Sequence, residues 1–216
     1  MTPVIAIDGA AGSGKSTLAR GLAVELDLPY VNTGLMYRAV ALKAHRAGVA
    51  SDDASALANL AVETRFELDS SVHPPELTID GEPPAAELSS PEVESSVSAV
   101  ARHREVRAVL RDVQRRLAAG GGVVEGRDIG TVVAPSANLK LFLQAHPDER
   151  AGRRALERDD DRRRIAEALG TRDELDARTN PLVPAPDAVV LDTTGLEPRV
   201  VLSRALALAR ERGIGP

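Results

Sequence analysis

The chain has no cysteine and no tryptophan, and its 216 residues include only two tyrosines and two phenylalanines. Without cysteine there is no disulfide framework and no thiolate metal site, and an oxidising compartment is not expected. So few aromatic rings cannot build stacking platforms for single-stranded nucleic acid. Lysine is scarce as well. The 27 basic residues include only Lys15, Lys43 and Lys140 as lysines, a bias that genome composition explains as readily as a demand for arginine forks. No apolar run is long enough to span a bilayer, and a formal charge of −5 argues against a general nucleic-acid coat. The expectation is a cytoplasmic chain with neither nucleic acid nor membrane as partner. Lacking a long apolar helix of the interface type, it is expected to be a monomer. The length suits one domain with a full core.

What is present begins at the fourth residue. An apolar run, Val4-Ile5-Ala6-Ile7, leads into Gly9-Ala10-Ala11-Gly12-Ser13-Gly14-Lys15-Ser16, and a helical stretch follows from Thr17 to Leu26. This is the G-x-x-x-x-G-K-[ST] phosphate loop between a strand and a helix, the context that makes it credible. Glycines let successive N–H groups turn inward into an anion nest, and the helix that opens near Lys15 adds its dipole. Gly9 to Thr17 is thus the predicted ATP-binding segment. Lys15 reaches the β- and γ-phosphates, and the Ser16 hydroxyl is the metal ligand, for Mg²⁺ carried with ATP.

Short β-branched runs at Val4–Ile7, Pro29–Val31, Val123–Val124, Leu139–Leu143 and Ala188–Leu191 alternate with helical patterns at Thr17–Leu26, Leu35–Ala47, Val106–Ala118 and Pro198–Arg212. Near-continuous apolar runs between helices indicate an α/β fold whose parallel strands are covered on both faces. Gly120-Gly121-Gly122 punctuates the entry to the Val123 strand. From Thr64 to Ala86, alternating residues around His73-Pro74-Pro75 read as an antiparallel excursion, expected as a subdomain packed at the rim. Between Pro147 and Glu167 seven arginines stand among seven acidic residues. Most of that stretch reads as a solvated, ion-paired helix. One to three of its arginines are expected to act from a mobile lid, and Arg154 and Arg158, one turn apart, are the choice.

Three further segments point to a small phosphorylated acceptor. Asn32-Thr33-Gly34-Leu35-Met36-Tyr37-Arg38 follows the second strand, and Gly126-Arg127-Asp128-Ile129-Gly130-Thr131 follows the Val123 strand. These are strand ends of the kind at which α/β ligands bind. Arg172 and Asp176, four apart, share a helical face. With Glu125–Val133, Ala185–Thr193 and the inserted piece at 64–86, the chain resembles the bacterial cytidylate kinases along nearly its whole length.

That resemblance implies transfer of the γ-phosphoryl of ATP to CMP or dCMP on a P-loop kinase with a five-stranded parallel sheet. It implies a core (1–31, 120–146 and 185–216), a monophosphate-binding part (about 32–119, with Thr33 in its motif) and a lid (about 147–180). It also implies that Arg38, Arg127 and Arg178 grip the acceptor phosphate, that Ser98, Arg107 and Asp128 read the cytosine edge, and that Arg172 with Asp176 holds the sugar. Lys15, Arg127, Arg154 and Arg158 form the expected catalytic set. Two departures stand out. Asn32 replaces the family's usual aspartate and is given no catalytic role. Arg178 lies six residues after Arg172, where the family's usual spacing is seven. The competing readings are a kinase of another small acceptor (UMP, AMP or shikimate) and a non-catalytic ATP-binding module. A switch GTPase would need an Asn-Lys-x-Asp guanine reader, which the sequence lacks.

Overall fold

The computed structural model describes residues 2–158, 161–179 and 181–215, with the backbone alone at 157 and 158. Two units of strand and helix open the chain, β1 (Val4–Gly9) with α1 (Lys15–Leu26) and β2 (Tyr30–Asn32) with α2 (Thr33–Ala47), and α3 (Ala54–Glu63) follows. A hairpin, β3 (Phe66–Asp69) and β4 (Glu76–Ile79), precedes α4 (Pro91–Ala101) and α5 (Arg104–Ala119). The chain then returns to the sheet with β5 (Gly122–Gly126) and β6 (Leu139–Gln144), passes through α6 (Pro147–Arg158) and α7 (Arg162–Thr179), and closes with β7 (Val189–Asp192) and α8 (Pro198–Glu211).

The sheet has seven strands in the order β3-β4-β2-β5-β1-β6-β7. Six of them, β4-β2-β5-β1-β6-β7, are parallel, and five of these are the strands that the apolar runs predict. The hairpin is not a separate rim subdomain, as expected from sequence, but an extension of the sheet. Its strands pair with each other antiparallel, while β4 joins β2 in parallel at Tyr30 and Glu76, helped by the Tyr30 amide donating to Pro75 O at 2.8 Å. The three residues of β2 leave an edge with free backbone groups, and the hairpin satisfies them.

Alternation along the strands divides two cores. Ile5 and Ile7 of β1 face α1 and α8, whereas Ala6, with Val31 and Val124, faces α2, α4 and α5. Both faces are thus dry, which is what a parallel sheet requires. α6 and α7 share a small third cluster of Ala151, Ile165 and Leu169, against which Ala11 of the phosphate loop packs. Two helices escape the periodicity reading, and both carry local start signals. Asp53 caps α3 by accepting from Ala56 N at 2.9 Å, and Ser90 caps α4 by accepting from Val93 N at 3.3 Å, with Pro91 at the first helical position.

Candidate active site

The phosphate loop leaves β1 at Gly9 and enters α1 through Gly14, a left-handed residue at the helix N-cap. Two of its glycines are needed for space as well as conformation. A Cβ on Gly9 would lie 2.4 Å from Leu143 O, and one on Gly12, at φ +74°, would press on Arg150 at 3.0 Å. Lys15 Nζ donates to Ala10 O at 2.7 Å, folding back over the loop. Burial, and then the nearby Arg127 guanidinium, push the Lys15 ammonium down to about 7. An anion bound in the loop would reverse that push.

Glu125, the last charged residue of β5, is almost fully buried. Ser16 Oγ donates to its Oε2 at 2.9 Å, and the Tyr30 hydroxyl donates to its Oε1. Burial holds this carboxyl above the usual carboxylate range, while Lys15 and the two hydroxyls pull the other way. Asp8, at the end of β1, accepts from Ile129 N at 2.7 Å and Gly130 N at 2.8 Å. It thereby ties the segment after β5 to the loop, where Ile129–Val133 forms one turn of π-helix.

Two cavities open beside the loop. One, of about 210 Å³, is lined by the loop together with Arg38, Ser98, Arg107, Arg127, Asp128, Arg172 and Asp176. The other, of about 680 Å³, is lined by residues 12–18 with Arg153, Thr193, Leu196 and Pro198. They share Gly12, Lys15, Ser16 and Arg154. Inside the first, guanidinium groups converge with carboxylates between them: Arg127 Nη2 lies 2.8 Å from Asp176 Oδ2, and Arg38, Arg154 and Arg172 all reach Glu94. Burial pushes Arg38 and Arg127 below the usual arginine range. Arg127 Nη1 and Arg172 Nε are buried without a hydrogen-bond partner among the described residues, donors that suit an anionic ligand.

The family model for cytidylate kinase matches residues 5–211. The chain belongs to that family. It is 45% identical over 214 residues to the cytidylate kinase of Pelotomaculum thermopropionicum, with 95% of each chain covered. The cytidylate kinase of Desulfitobacterium hafniense is 44% identical over 217 residues (96% of this chain, 93% of the other), and that of Mycobacterium leprae 40% over 218 (97% and 96%). Among solved structures, an uncharacterised protein from Eubacterium ventriosum superposes with a TM-score of 0.56 at 12% identity, covering 98% of this chain and 99% of its own, a likeness of fold alone.

Against this cytidylate kinase frame, most of the expected site residues line the first cavity, but several are occupied in ways the sequence does not suggest. Thr33 is buried and donates its hydroxyl to Glu125 O at 2.7 Å. Ser98 Oγ donates to Asp176 Oδ1 at 3.1 Å, Arg107 Nη1 to Ala101 O at 3.0 Å, and Asp128 is paired with Arg111. Asn32 caps α2, accepting from Leu35 N at 3.3 Å, a structural task its amide performs without charge. Arg178 is the correction. It is exposed and lines neither cavity, whereas Thr179 lines the first. At 100° per residue, position 178 is turned about 120° from Arg172, while 179 returns to within about 20° of it. The side chain of Arg158 lies outside the described residues.

Sequence reasoning gave no role to Glu125, Asp8, Glu94 or Arg150. Arg150 is buried, donating to Ala11 O at 3.2 Å and pairing with Asp173 at 2.7 Å, so α6 is tied to the phosphate loop. For Glu125 a signal was present: one acid in an otherwise apolar buried strand, Gly-Val-Val-Glu-Gly. Among the described residues, no helix is long and apolar enough to cross a membrane.

Proposed function

We propose that the chain transfers the γ-phosphoryl group of ATP to CMP or dCMP, releasing ADP and CDP or dCDP. The observation that carries this reading is the meeting of two cavities at Gly12, Lys15, Ser16 and Arg154. A donor in the larger cavity lays its phosphates in the loop, and an acceptor in the arginine-lined cavity brings its own phosphate to the same point. Little covalent work falls to the protein. An acceptor oxygen attacks in line, and catalysis is positioning together with neutralisation of spreading charge. Lys15 bears on the β- and γ-oxygens, Arg38 and Arg127 on the acceptor phosphate, and Arg154, at the junction, on the group in transit.

Cytosine presents an amino donor beside acceptors at N3 and O2, so the Asp128 carboxylate and Ser98 hydroxyl suit the first and Arg107 the others. Uracil reverses that pattern and leaves the site groups mispaired. Arg172 and Asp176 are assigned to the sugar. The residues present also fit Mg²⁺. A hydroxyl beside a buried carboxylate, with no group of three acidic or histidine ligands among the described residues, suits an ion that keeps phosphate and water ligands. Ser16 would hold it, and the ion supplies neutralisation of phosphate charge. In this reading residues 1–31, 120–146 and 185–216 form the core, residues of about 32–119 bind the monophosphate, and α6 with α7 forms the lid. The protein acts as a cytoplasmic monomer on free nucleotides. One coupled assay with ATP and Mg²⁺ against CMP, dCMP, UMP, AMP and shikimate tests the proposal. Turnover is expected with CMP and dCMP, and no ATP consumption with either overturns it.

A further inference from the structure

Glu94 stands in the first turn of α4 with its side chain inside the acceptor cavity. Its Oε1 receives three guanidinium N–H groups from three different helices: Arg38 Nη2 of α2 at 3.0 Å, Arg154 Nη2 of α6 at 2.8 Å and Arg172 Nη1 of α7 at 3.1 Å. An oxygen surrounded by converging arginine donors is the environment expected around a phosphate oxygen, not a surface carboxylate. All four side chains are well screened from water, between 13% and 24% exposed, so these pairs are not ordinary surface ion pairs. Two of the arginines belong to the lid and one to the monophosphate-binding part, so a single carboxylate bridges the two.

We infer that Glu94 is a built-in stand-in for the acceptor's phosphate: it holds Arg38, Arg154 and Arg172 together in the free enzyme and is displaced when the monophosphate arrives. This rests on the kinase reading above. The physical reason is charge. Arg38, Arg154 and Arg172 brought to one place repel each other, and burial alone already disfavours the charged form of Arg38, with Arg172 and Arg154 adding to that. A carboxylate neutralises part of this cluster with one negative charge. A phosphate dianion brings more charge and three acceptor oxygens, so it wins Arg38 from Glu94, and the displaced carboxylate releases Arg154 to the junction and Arg172 to the sugar. It must first displace a competitor, and the acceptor's affinity is reduced by that competition. Glu94 is therefore a positioning residue that sets how strongly the site responds to the phosphate of its acceptor and holds Arg154 at the junction until then.

The test is calorimetric titration of the full-length chain and its Glu94→Gln variant with CMP and, separately, with cytidine, which lacks the phosphate. CMP should bind about three- to tenfold more tightly to the variant, since a competitor worth up to about one decade is gone. Cytidine affinity should stay the same. Glu94→Asp, which keeps the charge but draws it back by one methylene, should fall between the two, and it carries the same comparison if the glutamine variant does not fold. Unchanged or weaker CMP binding, or equal tightening of cytidine, overturns the role of Glu94 while leaving the kinase reading intact. A wild-type chain that binds no CMP removes both.

Discussion

Replacing Glu125 with glutamine should separate charge from hydrogen bonding at the phosphate loop. Both partners of the carboxylate are hydroxyls, of Ser16 and Tyr30, and hydroxyls rotate. A glutamine oxygen accepts from one while its amide donates to the other, so neither is left unsatisfied. The buried carboxyl is also held above its usual range by desolvation, and the neutral amide escapes that penalty. Stability should therefore change by less than about 1 kcal/mol. What disappears is the negative charge that supports the Lys15 ammonium, already down at about 7. Losing a close, screened carboxylate should lower it by about one further pKa unit, or about 1.4 kcal/mol. On the alkaline side of the Lys15 value its protonated fraction then falls by up to about tenfold, whereas well on the acid side it hardly changes. Because kcat/KM for ATP reports the free enzyme, its pH profile should shift about one unit toward acid, and both enzymes should lose donor capture as the pH rises past their Lys15 value. The assay is kcat/KM for ATP at CMP held well below its KM from about pH 5.5 to 8, with thermal unfolding alongside. A loss that is the same at every pH, or a variant that melts many degrees lower, refutes this account of Glu125.

Three further outcomes follow from the site. Arg178→Ala should leave KM for CMP within about twofold, as expected of an exposed surface arginine, whereas Arg38→Ala should raise it by about 100-fold through loss of a screened phosphate donor; steady-state kinetics on the pair decides, and a large effect at 178 would mean that α7 turns when the acceptor binds. Asp128→Asn should raise KM for CMP about tenfold or more with little change for ATP, because an amide cannot serve both Arg111 and the cytosine amino group as a carboxylate does; equal damage to both substrates would make Asp128 a structural loop residue. Arg154→Ala should lower kcat about 100-fold with the circular dichroism unchanged, and wild-type turnover would remove it from the junction chemistry.

How much of this was legible follows from what a sequence encodes directly. Apolar period and run length reported the five parallel strands and the main helices because burial on both faces is a local demand on every residue of those segments. The antiparallel character of residues 66–79 was equally local, but its docking was not. Whether a hairpin stands apart or extends a sheet depends on the three-residue β2 leaving an edge to be filled, and the Tyr30 amide finds Pro75 only in three dimensions. The same distinction runs through the site. Phosphate-loop glycines are legible because the backbone itself binds the ligand, and each answers a demand at its own position, space and conformation at Gly9 and Gly12 and a left-handed backbone at Gly14. Charged side chains are different. Arg150 sits in a segment whose letters read as solvated, ion-paired helix, and the general rule favours that reading, while Glu94 sits in α4, which the sequence reading did not find. Their burial arises because α4, α6 and α7 meet at the loop, and no period within any one of them records a meeting. Arg178 makes the converse point. The amino acid expected at the end of α7 is present, yet one residue of spacing turns it about 120° away from Arg172. A helix reads out direction before it reads out identity, so an arginine carried over by motif acts only where the count of residues returns it to the same face.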